Sequence, residues 1–250
     1  MNTVLVTGCS SGFGLEIARH FLARGWRVVA TMRTPDAGVL PPSQHLRVLA
    51  LDVTDAASIR HAVEAAGPVD VLVNNAGFGV ASPVEVAPLE AVRELFETNA
   101  FGTFAVTQAV LPHMRERGSG VIVNVTSSVT LKALPFISAY RASKAAVNAF
   151  TESLALELEP LGLRARLVLP GRSPETRFSA SAHARMVGMD HPAYAETVKR
   201  VFARLQDATT PTTRIQDVAE AVWRAATDPS APMRIPAGAD AVAWAAEAAR

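Results

Sequence analysis

The sequence predicts an α/β fold in which helices cover both faces of a doubly wound, parallel β-sheet. Short runs rich in valine, leucine and isoleucine alternate along the chain with longer amphipathic segments. Such runs are typical of strands buried on both faces of a parallel sheet, and their alternation with helices is typical of α/β proteins. The chain has 250 residues, 49% of them hydrophobic, so we expect residues 1–250 to form one domain around a large core.

Six candidate strands alternate with helical patterns. The candidate strands cover residues 4–6, 27–31, 47–51, 69–73, 120–125 and 165–169. A helix is predicted after the first strand, because Leu15, Ala18 and Leu22 share one face and Gly25 is a stop signal. Further helices are predicted at about 55–66, 88–116 and 139–159.

Residues 171–212 depart from this alternation and carry one helical stretch at about 192–206. We interpret them as a loop and helix insertion over the carboxyl edge of the sheet, where open α/β sheets bind ligands. Loops at this edge usually determine substrate choice. His183 and His191 lie in the insertion. Each could contact the substrate or lie in a plain surface loop, and the surface loop is favoured.

Charge and cysteine content exclude several classes of partner. The net charge is +1 and 19% of the residues are charged, which gives no reason to expect nucleic acid or an anionic membrane. Cys9 is the one cysteine, so an internal disulfide is impossible and a reducing compartment fits. We find no secretory signal and no apolar run of about 20 residues, and we expect a cytoplasmic protein. The six histidines lack zinc-ligand spacing, so no metal is expected.

A glycine-rich segment follows the first predicted strand and precedes a helix. Its sequence is Thr7-Gly8-Cys9-Ser10-Ser11-Gly12-Phe13-Gly14. Glycines let the main chain turn tightly and approach a pyrophosphate, and the N–H groups at a helix N-terminus attract an anion. An ordinary strand-to-helix turn is the alternative. The expected contacts of a dinucleotide here are Gly8, Ser10, Ser11, Gly12, Phe13 and Gly14.

Two further strand ends carry candidate cofactor contacts. Asp52, followed by Val53, ends the third strand; it could cap the next helix or accept a hydrogen bond from an adenine amino group. Asn74-Asn75-Ala76-Gly77 follows the fourth strand. This segment is either a plain turn or a link that pins neighbouring strand ends and contacts a ribose.

Tyr140 and Lys144 are four residues apart in a helical pattern, so they share one helix face. A nearby ammonium lowers the pKa of a tyrosine, and this would make Tyr140 a usable acid or base at neutral pH. Ser127 ends the fifth strand and could hold a substrate oxygen, or serve with Ser128 in a loop or helix cap. Asn99 is a poor residue for a helix interior, which suggests a helix distortion, a water chain or a buried amide satisfied by main chain.

Together these features resemble the short-chain dehydrogenase/reductase family. Thr7–Gly14, Asp52-Val53 and Asn74–Gly77 match its glycine turn, adenine-site pair and Asn-Asn-Ala-Gly motif, and Pro170-Gly171 matches the motif after its sixth strand. The catalytic tetrad of the family is matched by Asn99, Ser127, Tyr140 and Lys144. The resemblance covers roughly residues 3–171 and is specific, because all the motifs occur in order.

The resemblance implies a Rossmann-type fold with about seven strands, the seventh near residues 234–236. It implies that Tyr140 exchanges a proton with the substrate oxygen and that Lys144 lowers the Tyr140 pKa and binds the nicotinamide ribose. Ser127 would orient the carbonyl or alcohol, and Asn99 would support a proton-relay water. The family often places a threonine after Pro170-Gly171 against the nicotinamide amide. Here Arg172-Ser173-Pro174-Glu175 separates Gly171 from Thr176, one residue more than in the family pattern. No role is therefore assigned to Thr176.

The end of the second strand bears on cofactor choice. An acidic residue there would favour NAD, but Met32 takes that place and Arg33 can pair with a 2′-phosphate. We therefore expect NADP(H) in preference to NAD(H), although Ser11 holds the other family position for a basic residue. A solvated loop charge is the alternative for Arg33.

The expected function is the NADP(H)-dependent interconversion of a carbonyl compound and its alcohol by hydride transfer. Segments 7–33 and 74–112 look most like family members that act on hydroxysteroids, retinols and similar compounds, which favours an apolar or steroid-like ketone. The resemblance also implies a homodimer or homotetramer. The alternatives are a dinucleotide-binding regulator without catalysis and a sugar-nucleotide epimerase or dehydratase. The intact tetrad disfavours the first, and the lack of a larger C-terminal region disfavours the second.

Overall fold

The computed structural model describes residues 1–176, 178, 182, 184–207 and 209–249. In this part of the chain, seven strands form one parallel sheet with the order β3-β2-β1-β4-β5-β6-β7. The strands are β1 Thr3–Thr7, β2 Arg27–Met32, β3 Leu46–Ala50, β4 Val71–Asn74, β5 Gly120–Val125, β6 Leu163–Pro170 and β7 Arg234–Ala237. The sheet confirms the doubly wound Rossmann-type prediction, including the strand near residues 234–236.

Eight helices surround the sheet in the described ranges. They are α1 Gly12–Ala23, α2 Ala56–Ala66, α3 Leu89–Phe96, α4 Gly102–Arg117, α5 Ser138–Leu158, α6 Ala195–Gln206, α7 Ile215–Thr227 and α8 Ala239–Ala248. The single helix predicted at about 88–116 is two helices joined by a π-helical turn over Glu97–Phe101. This turn is the helix distortion that was one of the outcomes predicted at Asn99, because asparagine is a poor helix former.

Alternating side chains of each strand enter two separate hydrophobic clusters. On one face, Val4 and Val28 pack against α1 and α7. On the other face, Leu5, Val29 and Leu72 pack against α2, α4 and α5. Because both faces of the strands are buried, the strands are nearly continuous runs of apolar residues.

The chain reverses its direction of winding between β1 and β4, which are neighbours in the sheet. A crevice forms at the carboxyl edge of an open sheet at such a point. The described part of the chain contains no helix that is long and apolar enough to cross a membrane.

Candidate active site

The carboxyl ends of the central strands bring four sequence motifs to one edge of the sheet. β1 leads into the glycine-rich turn, β4 leads to Asn75, β5 leads to Ser127 and β6 leads to Gly171. The turn and Asn75 lie at the point where the winding reverses, which is where dinucleotides bind in folds of this kind.

The main chain of the glycine-rich turn is closely packed and presents free N–H groups. Gly8 has a φ of +75°, and a Cβ atom on Gly14 would collide with the carbonyl oxygen of Gly8. Helix α1 has no side-chain hydrogen bond at its N-cap, Ser11, and no acidic residue in its first turn. Because uncapped N–H groups and the helix dipole attract anions, the turn fits the phosphates of a dinucleotide.

The remaining residues of the turn differ in exposure. Ser10 is exposed, and Ser11 and Phe13 are half-buried. The ring of Phe13 packs against the core, which leaves its main chain as the group available to a ligand. Gly12 has a φ of +59° and faces Thr176, whose nearest atoms would lie 3.4 Å from an added Cβ. Thr176 therefore borders the turn.

Asn75 joins the ends of β1 and β4. Its Nδ2 donates to the carbonyl oxygens of Thr7 and Gly8 at 2.9 and 3.3 Å. The Thr7 hydroxyl oxygen accepts from the main-chain N–H groups of Asn75 and Ala76, each at 3.0 Å. This geometry confirms that the segment pins neighbouring strand ends.

Asp52 does not cap α2. Asp55 does so, since its Oδ1 accepts from two main-chain N–H groups of the first turn at 2.8 and 3.3 Å. Asp52 instead accepts from the main-chain N–H and the hydroxyl of Thr54, at 2.9 and 2.8 Å. These bonds hold the pKa of Asp52 below its ordinary value, with a smaller contribution from the charge of Arg33. Arg33 and Asp52 follow the paired ends of β2 and β3, where Met32 lies opposite Ala50.

The neighbours of these two residues are buried. Met32, the last residue of β2, is 3% exposed, whereas Arg33 directly after it is exposed. Val53 packs closely on the first residue of α4, because a Cβ atom on Gly102 would lie 2.7 Å from Val53 Cγ2. This corner of the site therefore contains the exposed guanidinium of Arg33 and the carboxylate of Asp52.

The carboxyl end of β5 brings together three buried side chains, those of Ser127, Tyr140 and Lys144. Tyr140 and Lys144 lie one turn apart on α5. The Tyr140 phenol lies close enough to the Ser127 side chain for the two groups to interact. The Lys144 ammonium donates to the carbonyl oxygen of Val125 at 3.1 Å. A hydroxyl, a phenol and an amine are therefore gathered at the end of β5, as their spacing predicts.

The pKa of Tyr140 differs in direction from the expectation that Lys144 lowers it. Burial raises the pKa of Tyr140 to about 12, and the nearby Ser127 side chain only partly offsets this rise. Burial also lowers the pKa of Lys144 to about 8. The physical reason is that removal from water penalises the phenolate and the ammonium alike. In the protein itself, Tyr140 holds its proton at neutral pH.

Asn99 is fully buried within the π-helical turn. Its Nδ2 donates to the Phe78 carbonyl oxygen at 2.9 Å and to the Ser143 hydroxyl at 3.1 Å, and its Oδ1 accepts from Phe78 N–H at 3.0 Å. Gly77 is packed against it, since an added Cβ would lie 2.8 Å from Asn99 Oδ1 and 3.4 Å from Lys144 Nζ. The hydrogen bonds of the Asn99 amide are therefore largely to main chain, which is one of the alternatives that the sequence left open.

A buried chain of polar groups, which sequence reasoning did not identify, ties α5 to the sheet. Asn74 Nδ2 donates to Asn124 Oδ1 at 2.9 Å, and Asn124 Nδ2 donates to the Thr151 hydroxyl at 2.8 Å. Because buried polar networks fix geometry when they are satisfied, this chain sets the position of the helix that carries Tyr140.

Phe178 and Arg185 of the insertion contact aromatic rings near the site, and no periodic pattern in the sequence predicts either contact. The Phe178 ring is 5.5 Å from that of Tyr140, and a Cβ atom on Gly79 would lie 2.7 Å from it. The Arg185 guanidinium lies 4.4 Å from the ring of Phe78. An aromatic ring of the insertion therefore borders Tyr140, and Arg185 adds a cation beside Phe78.

The two histidines of the insertion have different outcomes. His191 Nδ1 accepts from the main-chain N–H of Ala193 at 3.3 Å, and its ring lies 5.4 Å from that of Tyr194. This favours the interpretation of His191 as a loop residue. His183 lies outside the described residues.

Asp240 is a buried carboxylate near the Pro170-Gly171 motif that sequence reasoning missed. Its oxygens accept from Arg172 N–H and from the Thr213 hydroxyl, each at 2.6 Å. Asp240 lies in the first turn of α8, shortly after β7. Because β7 also ends at the ligand-binding edge of the sheet, this position was the sequence signal that could have identified Asp240.

Comparisons with known proteins identify a family for this chain. The family model described as short chain dehydrogenase matches residues 2–186. An uncharacterized oxidoreductase, YusZ of Bacillus subtilis (strain 168), is 39% identical over 89% of this chain and 84% of its own length. Human 17-beta-hydroxysteroid dehydrogenase type 1 is 34% identical over 84% of this chain and 76% of its own length.

Solved structures show the same fold. A short-chain dehydrogenase from Streptomyces avermitilis aligns with a TM-score of 0.84 and 34% identity, covering 98% of this chain and 91% of that one. A short chain dehydrogenase from Burkholderia cenocepacia J2315, in complex with NADP, aligns with a TM-score of 0.79 and 27% identity, covering 99% and 92% of the two chains. The chain therefore belongs to the short-chain dehydrogenase/reductase family of oxidoreductases.

Proposed function

We propose that this protein is an NADP(H)-dependent oxidoreductase that interconverts a carbonyl compound and its alcohol. The observation that carries the proposal is the buried cluster of Ser127, Tyr140 and Lys144 at the carboxyl edge of the sheet. Residues 1–250 would form one catalytic domain, with residues 171–212 as its substrate-binding insertion.

A bound nicotinamide dinucleotide would supply or accept the hydride. The N–H groups at the start of α1, together with Gly8, Ser10, Ser11, Gly12 and Phe13, would hold its phosphates. Asp52 and Val53 would border the adenine, and Asn75, Ala76 and Gly77 would border a ribose. Lys144 would bind the other ribose, and Pro170 and Gly171 would border the nicotinamide.

The protein groups would then handle the proton and the orientation of the substrate. Ser127 donates a hydrogen bond to the substrate oxygen and orients it. Tyr140 is protonated at neutral pH, since burial raises its pKa to about 12, and a phenol in that state can donate its proton to a carbonyl oxygen. Asn99 shapes the site through its bonds to Phe78 and Ser143 and would support a relay water.

The substrate proposed is an apolar ketone or secondary alcohol. Phe178 lies beside the Tyr140 ring, and Val80 and Phe78 belong to the hydrophobic cluster that contains this ring, so apolar side chains surround the ring that carries the reacting hydroxyl. Apolar walls with a few polar groups are typical of sites for compounds of this kind. The human relative named for a hydroxysteroid is consistent with this substrate class.

The proposal is tested by following NADPH consumption with a panel of ketones, aldehydes, steroids and quinones, with the Tyr140→Phe protein as the blank. We expect at least one apolar ketone to be reduced by the wild type and not by the blank. Equal rates in the two proteins, or no turnover with any member of the panel, would contradict the proposal.

The preference for NADP(H) rests on Arg33. Replacing Arg33 with alanine is expected to raise the Kd for NADPH about tenfold and to leave the Kd for NADH nearly unchanged. The reason is that an exposed, charge-assisted contact with a 2′-phosphate contributes about 1.5 kcal/mol. Fluorescence titration of both cofactors measures the effect.

Arg27 supplies the matched control for Arg33, because it is an exposed arginine at the opposite end of β2. Arg27→Ala is expected to leave both dissociation constants unchanged. Tighter binding of NADH than of NADPH by the wild type would show that the assignment of Arg33 is wrong.

The proposed oligomer is a homodimer or homotetramer built on the outer face of α4 and α5. The rings of Phe104 and Phe150 stack there with centroids 3.7 Å apart, and Phe101 nearby is 59% exposed. Exposed apolar patches of this kind mark interaction surfaces. Replacing Phe104 with arginine is expected to convert the oligomer to a monomer in light scattering coupled to gel filtration.

Val84 is the control for this surface, because it is 72% exposed but lies outside α4 and α5. Val84→Arg is expected to keep the wild-type mass. A wild-type protein that is already a monomer would overturn the oligomer proposal.

A further inference from the structure

We infer that Asp240 is a positioning residue that holds residues 171–176, called here the post-β6 segment, in the shape required to bind a dinucleotide. The inference rests on the proposed function, since it assigns a role within that site. It also extends the site to the C-terminal helix α8, which carries none of the residues discussed above as cofactor contacts.

The Asp240 carboxylate is 5% exposed, and both of its oxygens are used. Oδ2 accepts from Arg172 N–H and Oδ1 accepts from the Thr213 hydroxyl, each at 2.6 Å. In the described part of the chain, no lysine or arginine forms an ion pair with it. A buried carboxylate needs such hydrogen bonds, and the first turn of α8 adds a favourable dipole.

Thr213 extends this contact to both sides of Arg172. Its hydroxyl oxygen accepts from Gly171 N–H at 3.1 Å, and its own N–H donates to the Arg172 carbonyl oxygen at 2.8 Å. Gly171 lies so close that an added Cβ would collide with the carboxylate of Asp240. Asp240 therefore leaves room only for glycine at position 171, because any side chain there would overlap its carboxylate.

The far end of the post-β6 segment reaches the phosphate-binding turn. Glu175 Oε2 accepts from Ile215 N–H at 3.2 Å, at the start of α7. One residue further on, Thr176 is buried and faces Gly12 at contact distance. The segment thus runs from its anchor at Asp240 to the turn that would hold the phosphates. If the anchor is lost, its main chain can shift where it borders the ligand.

The direct test is Asp240→Asn, which keeps the size of the side chain but presents an amide NH₂ to one of two donors. We expect the Kd for NADPH to rise about tenfold in fluorescence titration without substrate, well below the unfolding temperature. Thr213→Val removes the hydroxyl and is expected to weaken binding similarly. Thr213→Ser keeps the hydroxyl and is expected to restore wild-type affinity, which a purely structural role would not require.

Asp70→Asn is the control, at a more exposed carboxylate that also forms an ion pair with Arg117 at 3.4 Å. Asp70 also accepts a main-chain N–H, that of Thr3 at 2.7 Å, but at the opposite edge of the sheet. We expect it to lower the unfolding temperature without changing the Kd. Wild-type affinity in folded Asp240→Asn and Thr213→Val proteins would overturn the inference and leave the proposed function standing. A wild type that binds neither NADPH nor NADH would overturn both.

A measurement on the wild type alone covers the case in which the variants do not fold. Amide hydrogen exchange at Arg172 reports its bond to Asp240 directly. We expect this amide to be protected before NADPH is added. Exchange as fast as in an open loop would show that Asp240 does not hold the segment.

Discussion

Replacing Tyr140 with phenylalanine is expected to lower kcat by about 10²–10⁴-fold, the range attributed to general acid–base catalysis. The change removes one oxygen, and with it the proton donor that lies against Ser127. The ring remains, so its contact with Phe178 is expected to persist. Cofactor affinity should change little, because the N–H groups of the phosphate turn are untouched. Steady-state kinetics combined with NADPH titration separates the two effects.

The chain offers a matched control in its second tyrosine. Tyr194 donates a hydrogen bond to Glu85 at 2.7 Å and lies in the insertion. Tyr194→Phe removes the same atom from a half-buried position away from Ser127 and Lys144, and it is expected to leave kcat within about twofold. If Tyr140→Phe retained wild-type kcat, the proposed proton donor would be wrong. A loss of NADPH binding together with activity would point to a damaged site.

Replacing Lys144 with methionine is expected to abolish most activity and to stabilise the folded protein. We expect kcat/KM to fall by about 10²-fold or more, because the ammonium beside the reacting groups is lost. At pH 7 we expect the free energy of unfolding to rise by about 1–2 kcal/mol. The cost of burying the ammonium, about 3 kcal/mol from a pKa lowered to about 8, is partly offset by the lost bond to Val125.

The stability effect of Lys144 has a defined dependence on pH. Between about pH 8 and the ordinary lysine pKa of 10.5, the unfolded chain binds more protons than the folded protein. Wild-type stability from this group therefore rises with pH across that window and is lost as pH falls through it. The advantage of Lys144→Met should be largest below pH 8 and should shrink toward pH 10.5. Denaturant titrations at several pH values measure it.

Lys199 supplies the control for this experiment, because it is an exposed lysine on α6. Lys199→Met is expected to change neither kcat/KM nor the pH dependence of stability. A Lys144→Met protein that is less stable than the wild type at pH 7 would show that the ammonium is not buried at a cost.

The sheet and the motifs at its edge could be predicted because local patterns determine them. Buried parallel strands must be apolar on both faces, and a glycine-rich turn must be followed by a helix to bind phosphate. The four-residue spacing of Tyr140 and Lys144 places them on one helix face whatever the tertiary structure. The roles of these residues in catalysis stay predictions.

Other features depend on contacts between distant segments and could not be predicted. The pKa of Tyr140 follows from burial by Val80, Leu95 and the insertion rather than from its spacing to Lys144. Asp240 lies 68 residues from Arg172 along the chain, and no local pattern links them. The cap of α2 is another such feature, since Asp55 and not Asp52 accepts the main-chain N–H groups of its first turn.

The most direct test of the central claim uses NADPH that carries deuterium at the transferable position of its nicotinamide. The wild type is incubated with the ketone that it reduces best, and the alcohol is analysed by mass spectrometry and NMR. We predict one deuterium on the carbinol carbon of the product and almost no product with the Tyr140→Phe protein. An alcohol without deuterium would contradict hydride transfer from the nicotinamide, and equal product from both proteins would contradict Tyr140 as the proton donor.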